Sequence, residues 1–156
     1  MAGFSGAGPA VQHLLYRLLL IAVFAIGGTA AAQAPSVLGS WRGTFTWDDE
    51  PDGAQALEIE FIAETSGPGG TRRFTGTGVY RTERVTRVEM TLDLNLATRE
   101  IRMSEGEARD NPDWVNDGVH VGTLSADSTR IEARWVSKSD GRQGRLVLTR
   151  AAAGGK

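Results

Sequence analysis

At 156 residues the chain has room for one domain and hardly for two. It contains no cysteine, which excludes a disulfide framework and a lipid-acceptor thiol. Of its 17 Lys and Arg, the 16 that follow Arg17 face 19 Asp and Glu, a mildly acidic balance that argues against a nucleic-acid partner.

Near the start of the chain, Arg17 is followed by the unbroken apolar run LLLIAVFAI over 18–26 and then by small residues. This order of positive flank, short apolar core and small side chains predicts a secretory signal peptide over 1–32. The run is shorter than the roughly 20 apolar residues needed to cross a bilayer. Cleavage after Ala32 would start the mature chain at Gln33, whereas a cut after Ala34 would leave Pro35 at the first position. The expected product is a soluble secreted or periplasmic domain over 33–150, with a frayed tail over 151–156.

From residue 40 onward apolar and polar residues alternate with period two, the mark of half-buried strands. Eight strands are predicted, over 40–47, 56–64, 73–81, 84–94, 99–104, 118–124, 130–137 and 144–150. Trp41, Gly43, Phe45 and Trp47 share a face of the first; Leu57, Ile59, Phe61 and Ala63 share a face of the second. Phe74 and Tyr80 of the third strand sit with Gly76 and Gly78, glycines that predict bends and a thinned inner wall. Trp135 shares a face with Ile131 and Ala133 of the seventh. Residues 35–38 are expected to form one short turn below the barrel. The pattern predicts an all-β protein, an antiparallel up-and-down eight-stranded barrel, since closure removes exposed sheet edges.

The Gly39-Ser40-Trp41 that opens this pattern, with Arg150 at its close, resembles the lipocalins and the wider calycin superfamily of small barrels. The resemblance implies that Arg150 packs across Trp41 and plugs one end, a cation–π contact worth roughly 0.5–2 kcal/mol. Gly39, Trp41 and Arg150 are therefore expected to be structural. The chain departs from the family in lacking its Thr-Asp-Tyr type motif, its usual disulfide and its C-terminal helix.

In a meander, four loops gather at the other end, and there the chain places Asp48, Asp49, Glu50, Asp52, Arg81, Arg84, Lys138, Arg142 and the long segment 105–117 with Trp114. Long loops at a barrel mouth are a common place for ligands. The expectation is a lipocalin-like carrier of a small apolar or amphipathic molecule. Trp47, Phe61 and Tyr80 would be its apolar walls, with Arg81, Arg84 or Trp114 at the rim. The alternative is a protein-binding barrel, such as an inhibitor of an exported hydrolase. No cofactor, metal ion or catalytic constellation is predicted: Asp110, Asn111, Asp113 and Asp117 lack the spacing of a calcium loop. His120 reads as an outward strand residue, on the face opposite Val119 and Val121.

Overall fold

In a computed structural model that describes residues 34–108 and 110–152, eight strands follow in order: β1 Gly39–Trp47, β2 Gln55–Ser66, β3 Arg72–Arg81, β4 Val85–Leu94, β5 Glu100–Glu105, β6 Val119–Leu124, β7 Arg130–Val136 and β8 Gln143–Arg150. The expected signal peptide, the start at Gln33 and the end of the tail lie outside the described residues. Each strand pairs antiparallel with the next and β8 returns to β1, so the sheet is a closed up-and-down barrel. Among the described residues the one helical element is the turn Pro68–Gly70 between β2 and β3, and no helix is long and apolar enough to cross a membrane.

Alternation dictates which side chains fill the interior. On β4, Val88, Met90, Leu92 and Leu94 are buried while Arg87 and Glu89 face out. On β7, Ile131, Ala133 and Trp135 go in, and Glu132 and Arg134 go out. The register of β2 on β3 shifts between Phe61 and Ala63. Ile62 faces out by ordinary alternation, and the extra residue of this bulge leaves Ala63 exposed as well, where alternation from Phe61 would have turned it inward.

The end where β1 starts and β8 finishes is sealed by Trp41 and Arg150, which face each other in register. The Arg150 guanidinium lies 4.5 Å over the fully buried Trp41 ring. Arg150 also donates to the carbonyls of Ser36, Leu38 and Ser128. The Trp41 indole donates to the Val37 carbonyl at 2.8 Å. These bonds correct the turn expected at 35–38: the segment is irregular, because its carbonyls are spent on Arg150 and Trp41. Arg99 ties the neighbouring loops, donating at 2.7 Å to the carbonyls of Ser125 and Ala126 and to the Ser128 hydroxyl. Gly39 adopts φ of 101°, a conformation left largely to glycine, which explains the first residue of the Gly-x-Trp pattern.

The glycines expected to thin the inner wall do something else. A Cβ on Gly76 would lie 1.9 Å from the Glu60 carbonyl oxygen, and one on Gly43 would lie 1.8 Å from that of Val147. Both mark close approach of neighbouring backbones rather than open space. The space beside Gly78 is filled by Met90, whose sulfur would be 2.9 Å from an added Cβ. With Phe61, Phe74 and Met103 also buried, the half of the barrel toward Trp41 is solid.

Candidate functional site

The mouth is built differently. Phe45 and Trp47, two apart on β1, point into the barrel with their rings edge to face at 4.9 Å. Trp47 meets Trp135 of β7 in the same way at 5.1 Å. Two glycines make room for this cluster. A Cβ at Gly144 would sit 2.2 Å from the Phe45 ring, and one at Gly118 would sit 2.2 Å from the Trp135 ring. Across the mouth, Tyr80 at the end of β3 packs against Trp114 with ring centroids 4.6 Å apart.

Trp114 reaches this position because the loop after β5 folds over the opening. Asn111 donates to the buried Thr86 hydroxyl at 3.0 Å. Asp110 accepts from the Arg87 amide at 3.2 Å, and Asn116 donates to the Gly106 carbonyl at 2.9 Å. Trp114 itself donates its indole N–H to Glu105 at 2.8 Å.

Glu105 is the polar centre of the site. Its side chain is 4% exposed, and that of His120 is 1% exposed. One carboxylate oxygen, Oε1, accepts from the Tyr80 hydroxyl and lies 3.0 Å from His120 Nε2. The other accepts the Trp114 bond. The other ring nitrogen of His120, Nδ1, is buried without a partner. Burial, and then the negative Glu105 beside it, push the Tyr80 hydroxyl well above its ordinary pKa, so it stays a neutral donor.

Between these groups lies a cavity of about 140 Å³, lined by Phe45, Trp47, Gln55, Tyr80, Glu105, Asp113, Trp114, Val115, His120 and Trp135. Two larger grooves, of about 240 and 260 Å³, run over the outer face between charged strand residues such as Arg42, Glu58, Glu132 and Arg145. The mouth cavity alone of these three combines aromatic walls with a buried polar centre, the usual makeup of a small-molecule site.

Of the residues singled out from sequence, Trp47, Tyr80 and Trp114 line this cavity. Phe61 does not: it pairs in register with Gly39 and belongs to the solid half. Arg81 points outward to Glu58 at 3.4 Å, and Arg84 is exposed in the β3–β4 turn. His120 reverses its expected face, since Val121 is 52% exposed while His120 is interior. The cause is parity with Leu124, which is buried and four residues on. Glu105, expected in a solvated rim, ends β5 on the same inward face as Ile101 and Met103. The acids of the long loop separate to different partners. Asp117 accepts from the Ser139 amide at 2.6 Å, and Asp110 pairs with Arg87 at 3.6 Å. Among the described residues no three His, Asp or Glu gather as a metal site would require.

At the rim, the Arg142 guanidinium lies 4.1 Å over the Trp47 ring and is bonded to Asp49 and Glu50 at 2.9–3.0 Å. No known protein family matches the chain, and no curated protein is significantly similar to it.

Proposed function

We propose that this chain is an exported, lipocalin-like barrel that holds one small amphipathic molecule in its mouth cavity. The observation that carries the reading is the aromatic-walled space around the buried Glu105 and His120. Its size bounds the ligand: a cavity of roughly 150 Å³ holds benzene, so the enclosed part is about one ring and not a fatty acyl chain. With Arg81 turned outward to Glu58 and Arg84 exposed, neither arginine expected at the rim lines the cavity. The Trp41–Arg150 plug supports the likeness to lipocalins, and the leader-like run over 18–26 supports export.

The test of binding is a titration followed by tryptophan fluorescence, with benzyl alcohol against decanoate. Saturation by the one-ring probe with Kd below about 1 mM is the expected outcome, and no response to any probe rejects the reading. Export is checked separately by intact mass of the protein from its native host, expected to begin at Gln33. Full-length chain in the membrane fraction would contradict it.

A second reading has one observation in its favour. A carboxylate 3.0 Å from an imidazole beside a cavity is the arrangement of a general acid–base pair. It predicts that a bound molecule is recovered chemically changed, whereas recovery unchanged favours simple binding. The protein-binding alternative draws less support, because the exposed apolar side chains Leu38, Ile62, Val85, Val115, Val121 and Val136 come from six different segments.

A further inference from the structure

We propose that the mouth cavity selects an organic cation, a primary ammonium carried on a body of about one ring. The inference rests on the binding reading above and adds the charge of the ligand. Among the described residues, the charged groups lining the cavity are Glu105 and Asp113, both acidic, and none is a Lys or Arg. Among the described residues, three arginines at this end are engaged, Arg87 with Asp110, Arg134 with Asp48, and Arg142 with Asp49 and Glu50, while Arg84 and Lys138 are exposed and outside the cavity lining.

Glu105 is hydrogen-bonded but, among the described residues, has no guanidinium or ammonium partner. Its donors are a phenol, an indole and an imidazole. A carboxylate offers about four acceptor directions, and these three bonds leave one on the oxygen that Trp114 contacts. A buried charge without an opposite charge is costly, and a ligand ammonium would supply that charge together with a donor. The walls favour the same ligand, because the faces of Trp and Tyr attract cations. Trp47 already carries one, the Arg142 guanidinium at 4.1 Å. A carboxylate ligand would instead meet two acidic groups in a confined space. His120 is the one lining side chain able to supply a positive charge itself, so its protonation and an ammonium ligand are rival ways to neutralise Glu105.

Three probes of nearly equal shape separate these possibilities: benzylamine, benzyl alcohol and benzoate, titrated calorimetrically into the purified full-length protein. The expected order is benzylamine tightest, by about tenfold or more over the alcohol, with benzoate weakest. Glu105→Gln should remove about ten- to a hundredfold of the amine affinity, a larger loss than it causes for the alcohol. The order in the unmodified protein decides the matter even where that variant fails to fold. Equal affinity for amine and alcohol would overturn the cation inference and leave the binding reading standing. A preference for benzoate would overturn it in favour of a charged His120. Binding of none of the three would remove both readings together.

Discussion

Trp41 and Trp114 lie at opposite ends of one barrel and are satisfied in opposite ways. At the closed end the Trp41 indole donates to a backbone carbonyl, Val37, and its ring is covered by Arg150, which in turn donates only to backbone carbonyls. Burial lowers the Arg150 pKa, the sign of a cation drawn partly out of water. At the mouth the Trp114 indole donates to a side chain, Glu105, which also gathers Tyr80 and His120. Backbone partners fix a plug that has no spare valence. Side-chain partners around a cavity leave an open acceptor direction on Glu105 and an unpartnered ring nitrogen on His120. On the function proposed above, stability belongs to one end and recognition to the other.

The largest effect should come from the closed end. Trp41→Ala deletes a fully buried aromatic and should cost roughly 3–5 kcal/mol in a denaturant titration. Arg150→Ala should cost less, and the double variant less than the sum, because the two side chains touch. An unchanged melting midpoint for Trp41→Ala would show that this end is not a plug.

At the mouth, Gly144→Ala should cost roughly 1–3 kcal/mol by driving a methyl into the Phe45 ring. Unlike the closed-end variants, it should also shift tryptophan emission and weaken any one-ring probe. Trp114→Phe should cost about 1.5–3 kcal/mol, the value of a hydrogen bond to a charged group. Its loss of probe binding should exceed its loss of stability; the reverse would make Trp114 a mere loop anchor. Tyr80 adds a pH signature. Its folded pKa is raised, so its contribution is complete below the ordinary tyrosine value of about 10 and is lost as pH rises through the folded one. Tyr80→Phe should therefore flatten the alkaline fall in stability. The smallest effect is expected from Arg81→Ala, within about 0.5 kcal/mol and without change in binding, since its outward pair with Glu58 is exposed.

The barrel was legible in the sequence because period-two alternation and the Gly39–Trp41 start are local signals that the register of β1 on β8 satisfies directly. The aromatic part of the site was legible for the same reason: Trp47 and Tyr80 follow the parity of Phe45 and Gly78. The polar centre was readable but misassigned. Ile101 and Met103 set the parity that turns Glu105 inward, and Leu124 sets it for His120, yet charge and titratability argued for solvent. What pulled them in is mutual satisfaction across β5 and β6, where Met103 stands opposite His120. No local pattern encodes that pairing. The roles of Gly118 and Gly144 were equally hidden, since each depends on a ring from another strand.

The four tryptophans of the chain supply the most direct test, because each carries an indole N–H that resolves in a nitrogen–proton correlation spectrum. On titrating benzyl alcohol into the labelled protein, the resonances of Trp47, Trp114 and Trp135 should move together with one binding constant while Trp41 stays fixed. Movement of Trp41 with the others, or saturation of the probe with all four unmoved, would contradict the assignment of recognition to the mouth and of the plug to the closed end.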